Sequence, residues 1–172
     1  KTTHIIASAR LIKPFVSMFH INFAVQFFAS MHTQHLSEQE IIRREKLKEL
    51  QNLGIDPYPA PLFPVNTTAY SIREKYKEED KASFTDVCLA GRIMSVRDMG
   101  KASFAVLQDS SGKIQIYVRR DDIAPGEDKT LYDKVWKSLD IGDIIGVKGF
   151  VFTTKTGETS VHVQELVLLT KS

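Results

Sequence analysis

The chain has little of what usually announces chemistry. It holds one cysteine, Cys88, among 172 residues, which excludes an internal disulfide framework and fits a reducing compartment. Cys88 lies in the apolar run Val87-Cys88-Leu89-Ala90 and reads as a plain buried thiol. There is no Gly-rich phosphate loop, no metal-ligand spacing and no nucleophile–base pairing, so neither a catalytic residue nor a metal site is expected. His32 and His35 flank a Thr-Gln pair and His162 stands alone in an apolar stretch; none reads as a ligand. Positive charge is also scarce. The formal net charge is +2, and residues 82–172 hold twelve basic and twelve acidic side chains. A protein that grips nucleic acid mainly through phosphates carries a surplus of Lys and Arg, so any such role here must rest on a small, specific contact set. The apolar stretch before residue 30 is broken by His20, Asn22 and Gln26 and falls short of a membrane span.

What is present divides into three parts. Residues 1–35 contain Lys1, Arg10 and Lys13 but no acid and begin without methionine. An acid-free, Arg- and Ser-containing start has the composition of an organellar transit peptide; the reading preferred is an unassigned, disordered extension of upstream or vector origin, with Met31 as the true start. Residues 36–83 form a helical segment with a connector. In "LSEQEIIRREKLKELQNLG", Ser37 and Glu40 have capping-box spacing and Gly54 suits the C′ position, so a charged helix with one narrow apolar stripe is expected between them. "IDPYPAPLFPVN" concentrates Pro57, Pro59, Pro61 and Pro64 and reads as an extended connector. A second helix is expected at about residues 70–79, capped by Ser71 with Glu74.

From residue 84 the pattern turns to strands, expected at 86–97, 103–109, 114–120, 143–153 and 160–169. The helical pattern among them is "TLYDKVWKSLD", with Leu131, Val135 and Leu139 at a spacing of four. A mainly β chain of five short strands with a helix after the third matches the OB-fold, a Greek-key barrel used on oligonucleotides. Another all-β barrel is the alternative.

The stretch "GKASFAVLQDSSGKIQIYV" (100–118) reads as a hairpin. With the turn centred on Ser111-Gly112, residue 110 is expected opposite 113 and 108 opposite 115. Alternation then puts Ala105, Leu107, Ile114, Ile116 and Val118 inside and leaves Phe104, Val106, Gln108, Gln115, Tyr117 and Arg119 on the other face. In an OB-fold that face receives bases. Phe104 can stack on a base, and Gln115 carries both a donor and an acceptor for a Watson–Crick edge. Arg97 ends the first strand and "TKTGE" (154–158) forms the last turn, ending at Glu158. Uracil presents two carbonyls and an N3–H, so Arg and Gln donors with a Glu acceptor around a stacking Phe suit it. Cytosine would face the carboxylate with a lone pair.

"GRIMSVRDMGKASFAVLQDSSGKIQIYV", with "DIGDIIGVKGFVFTTKTGETSVHVQELVLLTKS", resembles the N-terminal anticodon-binding domain of class II lysyl-tRNA synthetase (lysine–tRNA ligase), and "LSEQEIIRREKLKELQNLGIDPYP" resembles the helix preceding it there. The likeness covers about residues 36–172, with the barrel at 84–172; aspartyl- and asparaginyl-tRNA synthetases share the fold but not "GKASF" with "KTGE". The resemblance implies that Phe104 stacks on the middle uridine of a U-U-U anticodon and that Arg97, Gln115 and Glu158 hydrogen-bond its edge. It gives Arg92 of "GRI" a backbone-contact or structural role. The implied partner is the anticodon loop of tRNA(Lys), with no membrane and no DNA, in a cytoplasmic, bacterial-type, homodimeric parent enzyme. ATP and Mg2+ are implied for that parent and no cofactor for this stretch, because the family's catalytic domain and its class II motifs are not in this sequence. A generic single-strand-binding OB protein and a protein-interaction or dimerisation module are the alternatives.

Overall fold

The structure, a computed structural model, describes residues 36–172 except residues 60 and 61. The expectations for residues 1–35, His32 and His35 included, lie outside the described residues. Helix α1 (Glu38–Asn52) begins directly after Ser37. It ends as its sequence requires: Gly54 takes φ +76°, its N–H donates to Gln51 O, and Ile55 N–H donates to Leu50 O, the paired bonds of a Schellman motif. The apolar stripe is narrower than its composition suggested. Leu50 is fully buried, while Ile41, Ile42 and Leu53 remain exposed.

Helix α2 (Ala69–Lys75) is shorter than expected and capped differently. Thr68, not Ser71, is the N-cap, its Oγ1 accepting from Ser71 N–H at 3.2 Å. The helix stops because Tyr76 turns into extended backbone and the core, where its hydroxyl donates to Glu78 Oε2 at 2.8 Å. A 3-10 turn, Glu78–Phe84, leads into the barrel.

Strands β1 (Val87–Asp98), β2 (Ala102–Gln108), β3 (Lys113–Arg119), β4 (Ile144–Thr153) and β5 (Thr159–Thr170) match the expected spans to within a residue or two. They close into a barrel in the order β1-β2-β3-β5-β4. Every pairing is antiparallel except β3 with β5, a short parallel seam from Gln115 opposite Ser160 to Val118 opposite Val163. Closure is helped by a register shift at Lys148/Gly149 on β4. A Cβ at Gly149 would run into the carbonyl oxygen of His162 on β5, so only glycine lets the strands approach there. The interior is the predicted alternating set: Ala105, Leu107, Ile114, Ile116 and Val118 are buried beside Leu89, Ile93, Ile145, Val147, Val161 and Val163. Removing a branched aliphatic of this kind from water is worth about 1.5–3 kcal/mol each.

Between β3 and β4 lie a single helical turn, α3 (Arg120–Ile123), and a π-helical segment (Leu131–Trp136). The wider π turn brings Tyr132 into the core together with Val135 and Trp136. Their polar atoms form a buried network: Tyr132 Oη donates to Gly100 O (3.0 Å), and Trp136 Nε1 donates to Ser103 Oγ (3.2 Å), which lies 3.1 Å from Tyr132 Oη. This network fixes the β1–β2 turn from beneath. Four residues beyond Trp136, Asp140 joins a second polar cluster: Lys171 Nζ donates to Asp140 Oδ2 (2.7 Å) and Asp143 Oδ2 (2.9 Å), and Lys46 of α1 also reaches Asp140. Burial would raise the Asp140 carboxyl, but the bonds from Lys171 and Lys46 outweigh it and hold the group below the ordinary carboxylate range. Among the described residues, no helix is long and apolar enough to cross a membrane.

Candidate nucleic-acid interface

The hairpin register differs from the expected one by two residues. Gln108 pairs with Lys113, Val106 with Gln115 and Phe104 with Tyr117. The cause is Asp109. Its Oδ1 accepts from Ser111 N–H (2.7 Å), Ser111 Oγ–H (2.6 Å) and Gly112 N–H (2.9 Å), and its backbone N–H donates to Gly112 O, so the loop closes one residue earlier on each side. A shift of two preserves side-chain parity, and the division into faces stands. Burial would raise the Asp109 carboxyl, but bonds from Ser111, Ala69 N–H and Gly112 N–H hold it low.

On the outer face an open cleft of about 470 Å³ is walled by Arg97 and Met99 of β1 and its turn, Phe104, Gln115 and Tyr117 of the hairpin, Phe152 of β4, and Thr154–Thr156. Arg97 stands opposite Phe104 in the β1–β2 ladder, its guanidinium carbon 5.3 Å from the ring centre. The Phe104 and Tyr117 rings lie 4.9 Å apart and are tilted by 43°. Phe104 is half-buried, with the Arg97 guanidinium over its ring and Tyr117 packed beside it. Gln115 Nε2 donates to Ser160 Oγ at 2.9 Å across the parallel seam, and Ser160 Oγ–H donates to Glu158 O. That orients the amide and leaves its carbonyl and second N–H for a ligand.

Glu158 enters one step to the side. It closes the Thr154–Glu158 turn, where Thr154 N–H donates to Glu158 O (3.0 Å), Glu158 N–H donates to Thr154 Oγ1 (3.0 Å) and Gly157 supplies the positive φ. Its exposed side chain lines a shallow depression of about 160 Å³ that shares Gln115 with the main cleft. Arg97, Phe104, Gln115 and Glu158 are thus brought to one continuous surface. Arg92 is not; it lies mid-strand in β1, five residues before Arg97, where Nη1 donates to Gly142 O at 2.6 Å.

Some of the cleft's wall residues escaped the sequence reading. Phe152 and Lys155 line the cleft. Phe152 was legible in principle, because alternation along β4 puts Phe150 and Phe152 on the outer side. His162, expected to stand alone, stacks on Phe150 (4.7 Å) and meets Asp122 through Nε2 at 2.6 Å. Its partner comes from α3, forty residues away, and no local pattern reveals that.

A closed five-stranded barrel with a basic and aromatic cleft on its β2–β3 face belongs to the OB-fold nucleic-acid-binding class. Residues 87–169 match the tRNA anticodon family, described as an OB-fold nucleic acid binding domain, and the barrel belongs to it. More particularly, the chain corresponds to the anticodon-binding domain of lysine–tRNA ligases. It is 54% identical over 143 residues to the lysine–tRNA ligase of Porphyromonas gingivalis, an alignment covering 83% of this chain and 25% of that protein. It is 52% identical over 142 residues to that of Christiangramia forsetii (82% and 24%) and 47% identical over 131 residues to that of Moorella thermoacetica (76% and 25%). The chain therefore spans about a quarter of the length of these curated relatives.

Proposed function

We propose that this chain reads the U-U-U anticodon of tRNA(Lys), stacking the middle uridine on Phe104. The observation that carries this reading is the convergence of Arg97, Phe104 and Gln115 on one open cleft beside Glu158. A pyrimidine stacked on Phe104 gains about 1–3 kcal/mol, whichever base it is. Discrimination then comes from the edge. Arg97 and the free Gln115 N–H donate to the uracil carbonyls, and the Glu158 carboxylate accepts the N3–H. A cytosine would set its N3 lone pair against that carboxylate, leaving a desolvated mismatch worth about 1–3 kcal/mol.

In the parent protein this module selects the tRNA, and the remainder attaches lysine using ATP and Mg2+ in class II fashion. The parent acts in the cytoplasm as a homodimer. The sequence likeness to lysine–tRNA ligases supports that assignment. The electrically balanced barrel fits specific edge reading better than sequence-blind binding, which leans on a positive groove.

The test is titration of the 172-residue chain with two anticodon stem-loops that differ only in U or C at the middle position. A preference for U that Phe104→Ala abolishes along with binding is expected. Equal affinity for both, unaffected by Phe104→Ala, overturns the reading.

A further inference from the structure

Most cations of the barrel are already engaged. Arg92 donates to Gly142 O, Arg119 lies near Asp122, Lys129 bonds Asp121, Lys148 sits between Asp86 and Glu165, and Lys171 is locked between Asp140 and Asp143. Arg73 of α2 and Lys113 at the start of β3 differ. Both are exposed, and among the described residues neither side chain has a hydrogen-bonding or ion-pair partner. Together they line the depression that contains Glu158 and shares Gln115 with the Phe104 cleft.

Arg73 is held there by design of the local fold. Helix α2 is fastened to the hairpin tip by Ala69 N–H to Asp109 Oδ2 (2.7 Å) and Tyr70 N–H to Ser111 Oγ (3.0 Å), with Thr68 capping and Ile72 fully buried. The helical segment ahead of the barrel therefore delivers a cation to the barrel's outer face. Two cations and one carboxylate leave a single positive charge in the depression, the complement of one phosphodiester. The other lining groups, Val106 and Ile114, are aliphatic and offer no platform for a second base.

We propose that Arg73 and Lys113 bind the backbone phosphate next to the nucleotide stacked on Phe104, an inference that rests on the anticodon reading above. Arg73 supplies a forked donor and Lys113 a point charge to the same anion. These contacts position the RNA and carry no base information, so they add affinity without altering the choice between U and C.

The experiment uses the full chain and an RNA stem-loop bearing U-U-U at the centre of its loop, titrated over a salt series beside its C-centred counterpart. Arg73→Gln and Lys113→Gln are each expected to weaken binding several-fold and to reduce the slope of log K against log salt by about 0.7, the increment for one single-strand phosphate contact. The U-to-C ratio should stay at its wild-type value. A neutral methylphosphonate beside the central uridine should weaken wild-type binding and leave the double variant unaffected. Unchanged salt slopes, or a changed U-to-C ratio, overturn the phosphate assignment. Phe104→Ala, run in parallel, separates the two failures. If it abolishes binding while the salt slopes of the cation variants are unchanged, the phosphate shelf alone is wrong; if it has no effect, the anticodon reading falls and takes the shelf with it.

Discussion

Arg97 and Phe104 are direct cross-strand partners, and the guanidinium lies over the ring that faces the cleft. The cation packs on the ring, and in the proposed reading it donates from there to a base edge. Phe104→Ala is expected to weaken stem-loop binding by about 1–3 kcal/mol for both middle pyrimidines. Phe104→Trp should retain most of the affinity, because a larger π-face serves the same purpose. Fluorescence titration of the two variants checks this.

Glu158→Gln should behave differently. It replaces an acceptor-only group with one that can also donate, so cytidine at the middle position is no longer penalised. Affinity for U should fall modestly while the U-over-C preference falls by about tenfold, on the order of 1.4 kcal/mol. Paired titrations measure it, and unchanged discrimination would remove Glu158 from the reader.

Asp109 gathers four donors from the hairpin tip and α2. Asp109→Ala leaves several backbone N–H groups without an acceptor and should cost about 1–3 kcal/mol of stability. Because Ala69 N–H is among them, α2 should loosen as well, which amide hydrogen exchange at Ser71 and Ile72 would report.

The two lysines that meet Asp140 are not equivalent. The Lys171 side chain is 2% exposed against 29% for Lys46. Lys171→Met strands the fully buried Asp143 carboxylate and should cost about 3–5 kcal/mol. Lys46→Met should cost about 1 kcal/mol or less. Urea unfolding of both variants decides the order.

Asp109 and Asp140 both have folded-state carboxyl groups held below their ordinary values. A depressed carboxyl contributes stability that is present above the unfolded value and lost as pH falls through the folded one. Urea midpoints should therefore stay flat from neutrality to about pH 5 and fall below about pH 4. In Asp140→Asn the acid-side decline should be shallower; an identical decline would contradict the role given to that carboxylate.

Much of this was legible in the chain because period-two alternation is a strong signal. It separated Ala105 and Leu107 from Phe104 and Val106, and it would have found Phe152. Gly54 announced the end of α1 through its required conformation. Bonds reaching across the fold were not legible. Asp109 reset the hairpin register by gathering donors, and Thr68 took the cap expected of Ser71. Asp122 met His162 from a different element. Such choices among polar partners are decided by tertiary geometry, and spacing alone does not carry them.

The parallel β3–β5 seam is short, and Gln115 and Ser160 stand at its first pair. It is the clasp of the ring, and the surface proposed to read the anticodon is built across it. An RNA touching both Gln115 and the Thr154–Glu158 turn would tie the two sides together, making occupancy a strap on the closure. Recognition and barrel integrity then draw on the same few bonds, and amides along Gln115–Val118 would exchange more slowly when the anticodon is bound.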